Sequence, residues 1–239
     1  MYKDFDIPLY FKISQEIISK IQSGELRPGM QLPSENEIIQ RYSVSNTTAR
    51  KVLNEIESKG LATKIKGKGT FVLDRRVERS ATRILGFTRN MIEAGFTPST
   101  KLLEASVVEE GYSAHIGQRR YNMAGPVFKI HRLRFADDIP MMLEVRYISM
   151  KFCPKIESQN FDGSLYEIYD KVCKFKMAEI IQDLRAIMMD TGIREFFNLR
   201  QPTPAFLIEG VTFCGPEMIL EMEKSIYRGD RYGFTIRAT

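Results

Sequence analysis

The sequence predicts an α+β protein with two domains: a small helical domain that ends in a β-hairpin, and a larger domain on a mainly antiparallel sheet. Apolar residues near the amino terminus recur at helical spacing, whereas later ones fall in strand-length runs separated by turn residues. Hairpins mixed with short helices are typical of an α+β domain on an antiparallel sheet. At 239 residues, the chain is long enough for each domain to bury its own core.

We expect the first domain to cover residues 1–72 and the second to cover residues 83–239. The stretch between them, residues 73–82, is polar and charged without periodicity, and we interpret it as a linker. Positive charge is concentrated near the amino terminus, because residues 1–79 carry 14 Lys and Arg against 10 Asp and Glu, while the rest carries 21 against 20. This distribution favours a polyanionic partner for the first domain only.

Three helices are predicted in the first domain. The first begins near Pro8, a residue suited to the first helical turn, and ends at Gly24. Its apolar stripe consists of Ile13, Ile17, Ile18 and Ile21. The second helix begins after Ser34, which forms a capping box with Glu37, and it ends near Tyr42.

The third helix follows a tight turn at Val44, begins after the capping residue Ser45 and ends at Gly60. Its core-facing residues are Val52, Leu53 and Ile56. The residues on the opposite side, at its amino-terminal end, are Asn46, Thr47 and Arg50. That end is the part of a recognition helix that enters the major groove of DNA.

A basic β-hairpin is predicted after the third helix. Residues 61–73 alternate around Gly67, Lys68 and Gly69, as expected for a hairpin with a three-residue loop. Its positive charges come from Lys64, Lys66 and Lys68. Two helices joined by a tight turn and followed by a cationic hairpin are a typical way to bind duplex DNA, so we expect a double-stranded DNA partner.

These motifs resemble the winged helix-turn-helix domain of the GntR family of bacterial transcription regulators across residues 8–72. The matching motifs are Pro8-Leu9-Tyr10, Gly24-x-Leu26-x-Pro28-Gly29, Leu32-Pro33-Ser34-Glu35, Val44-Ser45, Thr48-x-Arg50 and Gly67-Lys68-Gly69-Thr70-Phe71-Val72. The resemblance implies that Arg50 contacts a base or a phosphate, and that Lys68 at the hairpin tip enters the minor groove. It also implies that Ser34 faces a phosphate at a helix start, where free amide groups favour an anion. The DNA-binding set is then Ser34, Asn36, Ser45, Asn46, Thr47, Thr48, Arg50, Lys66, Gly67, Lys68 and Gly69.

Two positions depart from the family pattern. Family members usually carry Arg after the serine that caps the recognition helix, where this chain has Asn46, and many carry Arg in place of Asn36. Arg reads guanine whereas Asn pairs bidentately with adenine, so we expect the operator to differ at that base pair. The alternative is that Asn46 extends the helix cap and contacts phosphate, since only a minority of such contacts reach bases.

The second domain is predicted to alternate strands with short helices. The strands are expected at 101–109, 127–136, 141–149, 178–186, 204–213, 217–227 and 232–237. Helices fit residues 88–94, 164–174 and 190–198, and their capping candidates are Thr88, Ser164 and Asp190. Asp137-Asp138 and Gly215-Pro216 mark hairpin turns.

Arg132 and Arg134 stand two residues apart on a predicted strand, so both side chains point to one face of the sheet. Two adjacent guanidiniums repel each other unless an anion lies between them, and Arg is suited to bind phosphate or carboxylate bidentately. Glu144, on the return strand, is then placed to bind a hydroxyl or an amine of the same ligand. The alternative is an interstrand salt-bridge group that these three residues form with Asp137.

After the GntR-type domain, residues 83–239 resemble the UTRA ligand-sensing domain, whose fold is shared with chorismate lyase. The matching features are Gly86-Phe87-Thr88 before a helix that ends at Gly95, Arg132-Leu133-Arg134, Pro140 with Glu144, Ser164-Leu165-Tyr166 and Tyr227-Arg228-Gly229-Asp230. The resemblance implies a pocket in which the arginine pair and two helix starts hold an acidic group of an effector. The implied residues are Phe87, Thr88, Arg89, Arg132, Arg134, Glu144, Ser164, Tyr166, Glu221 and Tyr227, with Glu223 as an alternative to Glu221. We therefore expect a small anionic effector, preferably a phosphorylated sugar, with a carboxylate metabolite as the alternative.

The sequence offers little support for other sites. Cys153, Cys173 and Cys214 are odd in number and lie outside any CxxC pattern, so we interpret them as reduced thiols and not as disulfides or zinc ligands. With only two histidines, His115 and His131, we expect no metal, no cofactor and no catalytic residue. No apolar run approaches the roughly 18 residues of a membrane helix, and no signal peptide opens the chain, so we expect a cytoplasmic protein without a membrane partner.

The expected mechanism is ligand-controlled repression. A homodimer built through the sheets of the second domain sets the spacing of two recognition helices on a palindromic operator, and effector binding favours a dimer in which that spacing no longer fits. One alternative is an enzyme of chorismate lyase type with His115 as a base, although no nucleophile–base pair supports it. Another is a nucleoid-type DNA binder without an effector, which leaves the arginine pair and the second domain unexplained.

Overall fold

The computed structural model of the protein describes residues 7–73, 76–80, 86–174 and 177–236. The described residues form two compact units, one that holds residues 7–73 with 198–201 and one that holds the others. The prediction of an α+β fold, helical at first and then mainly antiparallel sheet, is confirmed. Of the helices in these ranges, none combines the length and the apolar character that crossing a bilayer requires.

The first unit consists of α1 (Leu9–Gln22), α2 (Glu35–Tyr42), α3 (Asn46–Ser58), β1 (Ala62–Ile65) and β2 (Gly69–Val72). Its core contains the predicted apolar stripe of α1 together with Ile38, Val52 and Ile56. The predicted capping box is present, because the hydroxyl of Ser34 accepts a hydrogen bond from the amide of Glu37, whose carboxylate accepts one from the amide of Ser34. A cap of this kind contributes about 1 kcal/mol to stability.

The β1–β2 hairpin turns one residue earlier than predicted. Ile65 at the end of β1 pairs with Gly69 at the start of β2, so the three-residue loop is 66–68 and not 67–69. Gly69 has a φ of +118°, and a Cβ at this position would lie 2.5 Å from the side-chain nitrogen of Gln31. That nitrogen donates a hydrogen bond to the carbonyl of Lys68 at 3.1 Å. Glycine is required here by the positive φ and by the close contact with Gln31. Its missing side chain leaves room for the hydrogen bond from Gln31 to the hairpin loop.

The second unit is built on one large sheet and two small ones. Its strands are β3 (Val77–Ser80), β4 (Pro98–Val108), β5 (Tyr112–Ile116), β6 (Arg119–Met123), β7 (Val127–Ala136), β8 (Ile139–Ser149), β9 (Glu179–Met188), β10 (Pro204–Phe213), β11 (Ile219–Arg228) and β12 (Tyr232–Thr235). Six of them form an antiparallel sheet in the order β4-β7-β8-β11-β10-β9. The strands β5 and β6 form a separate hairpin, and β3 pairs in parallel with β12.

Three helices accompany these sheets: α4 (Phe87–Glu93), α5 (Leu165–Ile168) and α6 (Thr191–Phe196). Helix α5 continues directly into a π-helical turn, Tyr169–Cys173, and a 3₁₀ turn covers Ile156–Ser158. All seven predicted strands are present, and β7 and β10 have the predicted bounds. The strands β3, β5 and β6 were not predicted, and β3 lies inside the supposed linker, so that interpretation was wrong over residues 77–80.

The helix starts of the second unit follow the predicted caps only in part. Thr88 was expected to cap α4, but Gly86 is the capping residue and Thr88 lies in the first turn. A Cβ on Gly86 would lie 3.1 Å from the ring of Tyr166, so glycine allows the chain to pack closely on this ring. Ser164 occupies the capping position of α5 without making a side-chain cap bond. Asp190 caps α6 as predicted, by accepting a hydrogen bond from a backbone amide at 2.8 Å.

One face of the large sheet carries a group of charged side chains. The strand register places Arg132 on β7 opposite Glu144 on β8, and Glu144 opposite Ser225 on β11. One step along the strands, Arg146 lies opposite Glu223. Because side chains alternate between the two faces of a strand, all of these residues share one face. The other face carries an apolar cluster that packs against the β5–β6 hairpin.

Cys153 and Cys173 form a disulfide, with their Cα atoms 4.9 Å apart. The prediction of three reduced thiols was therefore wrong for this pair, whereas Cys214 is a free thiol. The bond joins the turn after β8 to the end of the π-helical turn. Both sulfurs lie in an apolar cluster between this helical segment and the sheet.

Candidate functional sites

The start of α2, the start of α3 and the hairpin adjoin on the first unit. Glu35 on α2 accepts hydrogen bonds from Nε of Arg50 on α3, at 2.9 Å, and from Nζ of Lys64 on β1, at 3.5 Å. The hydrogen bond from Arg50 is the main reason that the pKa of Glu35 lies below its usual range. Such exposed ion pairs contribute at most about 1 kcal/mol to stability. Glu35 therefore orients Arg50 but leaves it able to bind another partner.

The predicted DNA-binding residues lie on this surface. The exposed ones are Ser34, Asn36, Ser45, Asn46, Thr47, Arg50, Lys66, Gly67 and Lys68, while Thr48 and Gly69 are half-buried. The hydroxyl of Ser45 accepts a hydrogen bond from the amide of Thr48 at 3.2 Å, and the two hydroxyls are 3.0 Å apart. The cap of α3 is thus formed by Ser45 and Thr48, which leaves the side chain of Asn46 exposed at the start of the helix.

A small pocket opens on the charged face of the large sheet, next to the starts of α4 and α5. Its lining residues are Gly86, Phe87, Thr88, Arg132, Arg134, Glu144, Arg146, Ser164, Leu165 and Tyr166. The fold therefore brings together all of the predicted effector residues except Arg89, Glu221 and Tyr227. Gly86, Arg146 and Leu165 were not predicted from the sequence.

The three other predicted effector residues lie away from the pocket wall. Arg89 is exposed on α4 and pairs with a glutamate one turn later at 3.0 Å. Glu221 is fully buried and accepts a hydrogen bond from the hydroxyl of Tyr169. Tyr227 is also buried, and its hydroxyl accepts a hydrogen bond from Arg79 at 2.5 Å. Contact of these three residues with an effector stays a prediction.

Among the described residues that line the pocket, Glu144 supplies the one carboxylate, and it bridges the arginine pair. Its Oε1 accepts hydrogen bonds from Nη2 of Arg132 at 2.5 Å and from Nη1 of Arg134 at 3.2 Å. The interstrand salt-bridge group considered for this pair is therefore present. Of the four residues considered, Arg132, Arg134 and Glu144 form these pairs, and the carboxylate of Asp137 accepts a hydrogen bond from the amide of Thr97 at 2.8 Å.

Each arginine of the pair still has an unused donor. Nη2 of Arg134 donates to the hydroxyl of Thr88 at 2.8 Å, and Nη1 of Arg132 donates to the carbonyls of Phe161 and Gly163 at 2.9 and 3.1 Å. The Nε atoms of both arginines are buried and have no hydrogen-bond partner among the described residues. Buried donors of this kind are rare and costly, and an anion in the pocket would supply the missing acceptor.

Arg146 holds Glu144 from the other side. Its Nε donates to Oε2 of Glu144 at 2.9 Å, and its two Nη atoms donate to Glu221 at 2.8 Å and to Glu223 at 2.9 Å. The side chain lies two residues after Glu144 on the same strand, and this spacing was the signal from which it could have been found. Burial raises the pKa of Glu221, which also bonds the hydroxyl of Tyr169.

The ion pairs at the pocket wall are unevenly distributed. Arg146 pairs with Glu144, Glu221 and Glu223, whereas Arg132 and Arg134 both pair with Glu144. Burial opposes the ionisation of Glu144, but the guanidiniums of Arg132, Arg146 and Arg134 together outweigh it and hold the pKa of this carboxyl well below its usual 4.5. Glu144 is thus an ionised acceptor that two arginines share on the pocket side, an arrangement suited to a small anion that also carries hydroxyl or amine donors.

Two family models match the amino-acid sequence. Residues 9–72 match the gntR family of bacterial regulatory proteins, and residues 93–233 match the UTRA domain. The chain belongs to the gntR family of bacterial regulatory proteins. Both resemblances inferred from the sequence are therefore confirmed. Members of this family are DNA-binding transcription regulators and not enzymes, which supports the prediction that the chain lacks catalytic activity.

The similarity between this gntR-family chain and its relatives extends over nearly their full lengths. The HTH-type transcriptional repressor NagR of Bacillus subtilis (strain 168) is 30% identical over 97% of this chain and 95% of its own length. The mannosyl-D-glycerate transport/metabolism system repressor MngR of Escherichia coli (strain K12) is 24% identical over 97% and 96%. The crystal structure of PhnF from Mycobacterium smegmatis has the same fold, with a TM-score of 0.62 at 19% identity over 97% of this chain and 99% of that one.

Proposed function

We propose that this gntR-family protein is a cytoplasmic transcriptional repressor that binds a palindromic operator as a homodimer and is released by a small anionic metabolite. A phosphorylated sugar is the preferred effector, and a carboxylate metabolite is the second candidate. Repressors among the relatives support the regulatory role, and the name of MngR connects that relative to sugar metabolism. By linkage, operator DNA must weaken effector binding by the same factor by which the effector weakens DNA binding.

The arginine pair carries the proposal for the effector. Arg132 and Arg134 are almost fully buried, share one carboxylate and each retain an unused Nε donor. Thr88 and Ser164 add hydroxyls at two helix starts, and the hydroxyl of Ser164 is not used in a cap. This set suits a phosphoryl group with its three terminal oxygens, and a carboxylate, with about four acceptor sites, is the second candidate.

Replacing Arg134 by Ala is expected to abolish effector binding, because the substitution removes one of the two arginines that are proposed to hold the anion. The measurement is a thermal-shift screen of the wild-type protein against phosphorylated sugars and small carboxylic acids. A ligand at 100 times its Kd stabilises the folded protein by about 2.7 kcal/mol, so a true effector gives a clear shift in the wild type. The variant should show none.

The matched control for this substitution is Arg185→Ala on β9, where the arginine is exposed and pairs with Asp183 and Glu209. This variant should respond to the effector as the wild type does. A shift that survives in Arg134→Ala would show that the effector binds elsewhere. A shift with carboxylic acids alone would replace the phosphorylated sugar by the second candidate.

The exposed Asn46 leads to a prediction about the operator. We expect selection from random duplexes to return an adenine at the base pair where relatives with Arg at this position read guanine. Asn46→Arg should move the selected sequence towards the common family site, while Lys12→Ala, an exposed change on α1, should leave it unchanged. Recovery of the common family site with the wild-type protein would instead support phosphate contact by Asn46.

A further inference from the structure

The segment closed by the disulfide forms one wall of the pocket. Cys153 and Cys173 are its ends, and Ser164, Leu165 and Tyr166 between them line the cavity. The segment contains α5 and the π-helical turn, two short helical pieces with a capping position that lacks a side-chain cap bond. The conformation of this wall therefore depends on how its two ends are held.

The same segment positions one of the two anion-binding arginines. Nη1 of Arg132 donates to the carbonyls of Phe161 and Gly163, and both carbonyls lie inside the closed segment. The hydroxyl of Tyr169, also inside it, donates to Glu221, which in turn accepts a hydrogen bond from Arg146. Any displacement of the segment therefore changes the hydrogen bonds of the charged groups at the pocket.

The disulfide ties this part of the wall to the large sheet. The amide of Cys153 donates to the carbonyl of Ser149 at the end of β8, so this cysteine is fixed to the strand that carries Glu144. Cys173 ends the π-helical turn, in the same apolar cluster as Leu165. A covalent link across such a segment removes the conformations in which its ends separate.

We propose that Cys153 and Cys173 are a redox modification site that sets the effector affinity of the pocket. The disulfide holds the wall in its binding conformation, and reduction to two thiols releases it. The inference rests on the proposed function in two respects, that the pocket binds an anionic effector and that the protein is cytoplasmic. Disulfides in the reducing cytoplasm are usually transient and redox-sensing, which is the chemical reason to assign regulation to this pair.

The oxidant is a small-molecule disulfide of the glutathione type. The thiolate of Cys173, which is 8% exposed whereas Cys153 is fully buried, attacks one sulfur of that molecule, forms a mixed disulfide and releases one small thiol. The thiolate of Cys153 then attacks the sulfur of Cys173 and releases the second small thiol. The two cysteines lose two electrons and two protons, and the small disulfide takes them up as two thiols. Reduction by two equivalents of thiol is the reverse.

The test compares the full-length wild-type protein after treatment with oxidised glutathione and after treatment with a phosphine reductant. Mass spectrometry after alkylation under denaturing conditions establishes the state of the pair, since Cys214 remains alkylatable in both. Inorganic phosphate and glucose-6-phosphate are the binding probes. The oxidised form should bind roughly tenfold more tightly, which is a typical coupling between two sites. Amide hydrogens of residues 161–173 should exchange more slowly in the oxidised form, while those of α1 to α3 should not change.

Two variants separate the pair from other thiol chemistry. Cys173→Ala should bind the probes with an affinity that no longer responds to oxidant or reductant, and Cys214→Ala should keep the full response. Equal affinities of the two verified redox states would overturn the proposal. If neither probe binds in either redox state, the proposed anion pocket is wrong. Amide hydrogen exchange then tests the redox site by itself. Slower exchange of residues 161–173 in the oxidised form supports the redox site, and unchanged exchange overturns it.

Discussion

Replacing Glu144 by Gln is expected to lower the free energy of unfolding of the sheet domain by about 3 kcal/mol or more, since removing one partner of a buried ion pair leaves the other charges uncompensated. Glu144 is almost fully buried and accepts hydrogen bonds from Arg132, Arg134 and Arg146. Gln keeps the shape and one acceptor oxygen but removes the negative charge. The measurement is urea unfolding followed by circular dichroism, with the sheet domain fitted as a separate transition.

The pH dependence of this effect has a definite sign. The pKa of Glu144 lies well below 4.5 in the folded state because three guanidiniums outweigh the cost of burial, whereas in the unfolded chain it is close to 4.5. The unfolded state therefore binds more protons as the pH falls below 4.5, and the stabilisation by Glu144, complete at neutral pH, declines towards the folded-state pKa. The difference between wild type and Glu144→Gln should be largest at pH 7 and should shrink below pH 4.5.

The matched control is Glu104→Gln on β4, where an exposed glutamate pairs with Lys129 at 2.9 Å. This substitution should change the free energy of unfolding by at most about 1 kcal/mol. Burial raises the pKa of Glu221, which acts in the opposite direction, and the charge of Glu144 adds to this rise, so the contribution of Glu221 also changes in Glu144→Gln. A difference between wild type and Glu144→Gln that stays constant from pH 7 to pH 3 would show that the charge of Glu144 is not its cause.

Local pattern was enough to predict most of the fold. The alternation along β7 and β8 and the Asp137-Asp138 turn between them predicted the central hairpin, and both aspartates have the positive φ that such a turn requires. The strand β3 was missed because its four residues pair with β12, more than 150 positions later in the chain, and no local periodicity reports such a partner. The β5–β6 hairpin was missed because five-residue strands give only a weak alternation signal.

The site was predictable where spacing along one strand decides it, and not where the fold joins distant segments. Arg132 and Arg134 were found because residues two apart on a strand share a face. Their use of Glu144 followed from the hairpin, but the carbonyls of the 153–173 segment that bind Arg132 did not, since backbone acceptors leave no sequence pattern. The Cys153–Cys173 bond was likewise invisible, because a separation of 20 residues says nothing about whether two side chains meet.

Replacing Arg50 by Ala is expected to weaken operator binding by about 1–3 kcal/mol for each recognition helix, which is the usual cost of losing such an arginine. In the proposed homodimer both helices lose the contact, so the affinity should fall roughly 30-fold or more. The substitution also leaves Glu35 with Lys64 as its remaining ion-pair partner, which adds a less compensated negative charge near the phosphates. Fluorescence anisotropy with the selected operator at fixed salt measures the loss. Lys12→Ala, which removes one exposed positive charge from α1, should have little effect.

Arg50→Lys separates base reading from phosphate contact. Glu35 engages the Nε of Arg50, which orients the guanidinium and leaves its Nη groups for a bidentate contact that a lysine cannot reproduce. We therefore expect Lys to restore binding to random duplexes, which depends on charge, but to leave operator affinity close to that of the Ala variant. Full recovery of operator affinity in Arg50→Lys would show that this residue acts as a point charge on phosphate, and sequence reading would then rest on its neighbours at the start of α3.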